Sequence, residues 1–310
     1  MQRVRSEVPA PFPTHHSKNA TQSSLTVLRA LRPAQWLKNG LVFAGLVFGG
    51  RLFDGQAVTI AFLAAIAFCL LSSGFYLIND VRDLEADRLH PVKSLRPVAA
   101  GEMAPEFAGA LGLLFILVAL AGSAFLAQHL LLVLFAYTVL TAAYNLGLKQ
   151  IVIVDVFAIA AGFVLRAVAG AVAVDVSISP WLLICTMLLA LLVGFGKRRH
   201  ELVALDQAGR HRRNLDAYSV PMLDQFVAVT AAGTLIAYGI YTFDSESAQN
   251  NRSMMLTIPI VAYGVFRYIY LLYRGGQGGA PETLLLTDRP LLVSVALWSV
   301  VSGFLFYSAT

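Results

Sequence analysis

Four oxygen-bearing side chains crowd the motif Asn79-Asp80-x-x-Asp83-x-x-x-Asp87, directly after an almost wholly apolar run from Ala57 to Ile78. Asn79, Asp83 and Asp87 are spaced by four, so a continued helix would stack them along one face. Carboxylates that close repel one another unless a cation joins them. Oxygen ligands on one face suit Mg2+, which binds one or two carboxylates together with substrate phosphates. The opposite charge follows at once, as Lys93 and Arg96 within His90-Pro91-Val92-Lys93-Ser94-Leu95-Arg96-Pro97. A metal held by the acids would neutralise a diphosphate, and the bases would pair with its remaining oxygens. The expectation is chemistry on a phosphorylated substrate at a membrane surface.

Three other groups could join them. Tyr144 and Lys149 close the fourth apolar segment. A lysine there complements the helix dipole, but this one also emerges on the same face as the acids. Asp155 and Arg166 lie inside the fifth segment, eleven residues apart on nearly one helical stripe. Charges within a span are costly, so they face a polar cavity or pair with another helix. After the sixth segment comes Gly196-Lys197-Arg198-Arg199-His200-Glu201, which is either a topology signal or an anion clamp.

The elements that must position these groups are membrane spans. Of 310 residues, 57% are hydrophobic and only 13% charged, about half the charged share of a soluble domain. Apolar stretches near 37–53, 57–78, 107–126, 130–148, 151–173, 181–196, 218–242, 254–273 and 290–308 predict nine transmembrane helices. The first is interrupted by Lys38, Asn39 and several glycines. Nineteen of the 23 basic residues fall on one side of these spans, against Arg51 and Arg252 on the other; Arg166 and Arg267 lie within spans. That asymmetry places the N-terminus and the Asp-rich connection in the cytoplasm and the C-terminus outside. It also accounts for the net charge of +5 without nucleic acid.

The fold class is therefore all-α, one polytopic helical bundle over 25–310. Residues 1–24 are polar, contain proline and lack a signal-peptide core, so a disordered cytoplasmic tail is expected. The run Gly-Gly-Gln-Gly-Gly-Ala-Pro at 275–281 reads as a flexible connector. Cys69 and Cys185 fall inside spans and read as packing residues. A transporter using Asp155 and Arg166 as a coupling pair is a rival, but the charges gather at one face rather than at the midplane.

With its Asp-rich motif, the His-Pro-x-Lys-x-x-Arg-Pro that follows and nine spans, the chain resembles the UbiA superfamily of intramembrane prenyltransferases over roughly 30–308. The resemblance implies a bundle in which the first motif binds Mg2+ and a diphosphate. Those enzymes usually carry a second Asp-x-x-x-Asp after the sixth span, where this chain has Lys197-x-x-x-Glu201. A cation in place of a metal ligand points away from a prenyl diphosphate donor. Together with Leu-Arg-Pro-x-Gln-Trp-Leu-Lys-Asn at 31–39, it implies transfer of 5-phosphoribosyl from phosphoribosyl diphosphate to a polyprenyl (decaprenyl) phosphate, for cell-wall arabinan precursors. The alternative is an aromatic prenyltransferase of quinone or haem biosynthesis.

On this resemblance Asp80, Asp83 and Asp87 form the catalytic carboxylates. Asn79 and Asp83 would ligate Mg2+ with Asp87, and Asp80 would support them. Lys38, Tyr76, Lys93, Arg96 and Lys197 would bind donor phosphates. Lys149, Arg166 and Arg199 would meet the lipid phosphate, and Tyr144, Asp155 and Glu201 complete the substrate-binding set. The location implied is the plasma (inner) membrane, with the active site cytoplasmic; a homo-oligomer is compatible with it.

Overall fold

In an apolar medium the backbone has no polar partner but itself, and only a helix satisfies its N–H and C=O groups within one segment. The computed structural model describes residues 24–205, 215–244, 252–274, 284 and 287–307, and every regular element in them is helical. The expected tail before Ser24, the connector at 275–281 and the basic residues Arg210, Arg212 and Arg213 lie outside the described residues. In chain order the helices are α1 (Ser24–Leu31), α2 (Ala44–Phe48), α3 (Gly55–Arg82), α4 (Leu84–Arg88), α5 (Pro105–Leu126), α6 (Gln128–Leu146), α7 (Val154–Ala173), α8 (Pro180–Leu205), α9 (Val220–Asp244), α10 (Ile258–Arg274) and α11 (Arg289–Tyr307).

Among the described residues seven helices, α3 and α5 to α10, are long and apolar enough to cross a membrane. The other two of the nine expected segments do not form helices of that length. α11 is apolar but shorter, Arg289–Leu305. The expected first span is instead a run of 3-10 turns over Pro33–Phe43, followed by the short α2. Gly40, Gly45, Gly49 and Gly50 weaken helix formation there, and its polar side chains bond sideways to neighbouring helices.

That segment lies very close to α7. A Cβ on Gly170 would fall on the carbonyl oxygen of Val42, so only glycine fits. The same device joins α3 to α5, where a Cβ on Gly74 would sit 2.6 Å from the Gly112 carbonyl. Small residues at such crossings let membrane helices pack by dispersion contacts, since lipid supplies no hydrophobic drive between them. Helix α7 is shared between two cores. Val156 and Ala160 near its start pack with α8, α9 and α10, and Ala169 and Ala173 near its end pack with α3 and α6. Leu113, Leu117, Phe135 and Val300 point outward, as a lipid-facing surface requires. Polar contacts collect where the ends of α3, α6 and α8 meet the starts of α7 and α9.

Candidate functional site

Helix α3 stops at Arg82, and Asp83 caps it with φ −93° and ψ 13°. Asp87 lies in the separate α4. The i,i+4 hydrogen bonds nevertheless run on through this junction, from the Asp83 N–H to the Asn79 carbonyl at 2.9 Å and from the Asp87 N–H to the Asp83 carbonyl at 2.8 Å, and Asp87 meets basic partners. Arg96 Nη1 donates to Asp87 Oδ2 at 2.5 Å and to Asp80 Oδ1 at 3.1 Å. Lys93 Nζ lies 3.9 Å from Asp87 Oδ1. Arg32 also donates to Asp80 Oδ1, with its guanidinium 4.9 Å above the Tyr76 ring. Burial pulls Arg32 below its ordinary pKa while Asp80 opposes the shift; an arginine stays charged regardless.

Two acceptors in this cluster are left over. Asn79 Oδ1 and Asp80 Oδ2 are buried, yet neither accepts a hydrogen bond from any described group. Asp83 is partly exposed, with Lys149 Nζ 3.7 Å from its Oδ2. An unsatisfied buried carboxylate oxygen is expensive, and hard oxygen donors are what Mg2+ takes. Among the described residues no three His, Cys, Asp or Glu side chains form a ready-made cluster. The donor set therefore fits a metal that keeps waters and phosphate oxygens as its other ligands, with Asn79, Asp80 and Asp83 as the protein's share.

The 3-10 segment is fastened beside these acids. Trp36 Nε1 donates to Ser73 Oγ at 3.0 Å, and Ser73 Oγ donates to the Leu31 carbonyl at 3.0 Å. Asn39, 2% exposed, donates to Cys69 Sγ and accepts from Arg166 Nε at 2.8 Å. Lys38 Nζ donates to Gln35 Oε1 at 2.6 Å. Thus Trp36 and Asn39 anchor the segment to α3 and α7 while Lys38 bonds within it.

Asp155 and Arg166 have different partners. Arg166 donates to Asn39, the Gly162 carbonyl and Tyr137 Oη, each at 2.8 Å, among the rings of Phe68, Tyr137 and Phe163. Asp155, 0% exposed, accepts from Arg198 Nε at 2.8 Å and from Tyr218 Oη at 3.1 Å. Burial pushes the Tyr218 phenol up to about 12. Arg198, 2% exposed, also holds Glu201 at 2.6 Å and interacts electrostatically with Tyr144. Arg199 pairs with Asp224 at 2.5 Å and lies 4.1 Å over the Tyr273 ring. Of the three consecutive cations, Lys197 alone makes no hydrogen bond or ion pair among the described residues.

Asp155 and Glu201, both expected in the substrate-binding set, share Arg198 as a partner. Arg32 and Arg198 also take part, although the sequence presents Arg32 only in the basic asymmetry and the 31–39 motif, and Arg198 only within a run readable as a topology signal or an anion clamp. Their signals were faint: an arginine directly before Pro33, and a position on α8 one residue on from Lys197, hence about 100° around the helix. Tyr218 had no sequence signal.

Residues 40–278 match the model of the UbiA prenyltransferase family. Decaprenyl-phosphate phosphoribosyltransferase of Mycolicibacterium smegmatis is 33% identical over 297 residues, covering 91% of this chain and 92% of the relative. The enzyme of the same name from Corynebacterium glutamicum is 33% identical over 281 residues, 88% of this chain and 84% of its own length. The fold is that of a UbiA homolog from Archaeoglobus fulgidus bound to GPP and Mg2+, with a TM-score of 0.70 at 20% identity over 91% of this chain and 99% of that one. Similar in sequence along most of its length and in fold nearly throughout, the chain belongs to the UbiA prenyltransferase family.

Proposed function

We propose that this protein transfers 5-phosphoribosyl from phosphoribosyl diphosphate to a polyprenyl phosphate and releases diphosphate. The observation that carries the reading is the state of the second motif. Glu201 is engaged by Arg198, Arg199 is matched by Asp224, and Lys197 is left uncompensated among the described residues. An unmatched cation there suits an anionic substrate group; a second carboxylate-held metal would need the reverse charge. The identity to decaprenyl-phosphate phosphoribosyltransferases over about nine-tenths of the chain supports it.

Asn79, Asp80 and Asp83 would hold Mg2+, with Asp87 joining them when Arg96 turns to the diphosphate. When bound, the ion supplies positive charge to the departing diphosphate. Arg96, Lys93, Lys38 and Lys197 pair with diphosphate oxygens, and Tyr76 hydrogen-bonds one of them. The bond from ribose C1 to the diphosphate oxygen breaks, and its electron pair leaves with the diphosphate. A lipid phosphate oxygen forms the new bond to C1 from the opposite face. That phosphate is already anionic at neutral pH, so no strong general base is needed. Stabilising the leaving group's charge is the dominant contribution. Lys149 and Arg199 steer the lipid phosphate, and Arg166 shapes the wall beside Asn39. Asp155, Glu201 and Tyr144 act through Arg198.

In this reading α11 and the segment 33–48 complete nine passages of a plasma-membrane protein whose Asp-rich end faces the cytoplasm. The product would feed cell-wall arabinan synthesis. Incubating the purified protein with Mg2+, phosphoribosyl diphosphate and decaprenyl phosphate should yield a phosphoribosyl lipid by mass spectrometry. Transfer of a prenyl group from prenyl diphosphate to an aromatic acceptor, with no phosphoribosyl lipid, would refute the assignment.

A further inference from the structure

The connection from α6 to α7 contains an unfavourable turn. Ile153 has φ 70° and ψ −48°, and the N–H of Val154 donates to the Val152 carbonyl at 2.8 Å across it. This is a γ-turn with positive φ, a rare and strained form, and a β-branched residue suits it poorly. Such conformations persist only when their surroundings over-determine them. Here the constraint comes from Tyr218, just before α9. Its ring packs in the apolar core with Val156 and Leu223. Its hydroxyl accepts from the Ile153 N–H at 2.5 Å and donates to Asp155 Oδ1 at 3.1 Å. Asp155 is in turn fixed to α8 by Arg198. The same short connection carries Lys149, four residues before Ile153, to within 3.7 Å of Asp83.

We propose that Tyr218 is a positioning residue: its hydroxyl holds the Ile153 turn, and the turn sets where the connection places Lys149 against Asp83. The inference rests on reading Lys149 and Asp83 as groups at the substrate. Tyr218 touches neither; it acts through the backbone between them.

The test uses Tyr218→Phe, which keeps the packed ring, alone and combined with Ile153→Gly. Glycine adopts positive φ without a Cβ penalty, so it should keep the turn without the hydroxyl's help. Backbone hydrogen exchange over residues 147–156 is read in the intact, detergent-solubilised chain, beside kcat and KM for decaprenyl phosphate. Losing the hydroxyl should speed exchange of Ile153 and its neighbours and raise the KM for decaprenyl phosphate by about tenfold, the effect of one buried hydrogen bond. Turnover number should stay within about twofold of wild type, because no reacting group is touched. The double variant should regain most of the lost affinity. Unchanged exchange, faster exchange with an unchanged KM, or no rescue by glycine would overturn the proposal. Exchange reports the clamp by itself, so absence of phosphoribosyl lipid from the wild-type protein would refute the functional reading alone.

Discussion

Replacing Asp155 with alanine separates a structural from a substrate-binding role for that carboxylate. Its two oxygens accept from Arg198 and Tyr218, and the side chains of Asp155 and Arg198 are 0% and 2% exposed. Breaking one side of a buried pair leaves the other charge uncompensated, at a cost of about 3–5 kcal/mol. Glu201 still lies 2.6 Å from Arg198, so the expected loss is near the lower end, about 3 kcal/mol. Removing both charges, as Asp155→Leu with Arg198→Met, should recover all but about 1 kcal/mol, since apolar replacement of a buried pair is often neutral. A double-mutant cycle closed with the single variants Asp155→Leu and Arg198→Met should therefore show coupling of at least about 2 kcal/mol. Reversible denaturation in mixed micelles measures these proteins and Asp155→Ala. An Asp155→Ala protein that unfolds like wild type but has lost turnover would refute the reasoning. The carboxylate would then meet the substrate.

Three further outcomes are expected. Asp83→Ala should abolish phosphoribosyl-lipid formation while the protein still inserts and folds, and EDTA should do the same reversibly, with Mg2+ restoring activity; near-normal turnover in either case removes the metal role. Lys197→Asp should raise donor KM by about tenfold or more, because a phosphate contact becomes a repulsion; an unchanged KM would leave the basic run as a topology signal only. At the opposite end, the N–H groups of Ala57 and Gln56 and the side chain of Arg51 hold the Asp54 carboxyl below its ordinary value. A depressed folded-state pKa gives stability that is present above the unfolded value of 3.8 and lost as pH falls through the lower, folded value. The unfolding temperatures of wild type and Asp54→Ala should thus differ at neutral pH and converge in strong acid.

Much of this molecule is legible in the order of its residues alone. The apolar runs with few charges force helices, because no other conformation satisfies the backbone in lipid. The motif from Asn79 to Asp87 announces oxygen ligands, and Lys93 and Arg96 announce their counter-charges. Local patterns such as these carry charge and periodicity, and both survive in one dimension.

Which charges pair with one another was decided only when helices distant in the chain came together. Arg32 reached Asp80 across 48 positions, and Arg198 reached Asp155 across 43. A buried charge must find its opposite wherever packing puts it, and sequence spacing says nothing about that partner. Hence Asp155 and Glu201 share Arg198, and Arg199 is paired with Asp224. Asp87 likewise gains Arg96, nine positions on, as its partner. The sequence determined the helices and the kinds of charge they carry. Tertiary packing decided which oxygens and which cation stayed unmatched among the described residues, because ion pairing in a low-dielectric interior depends on distance in space.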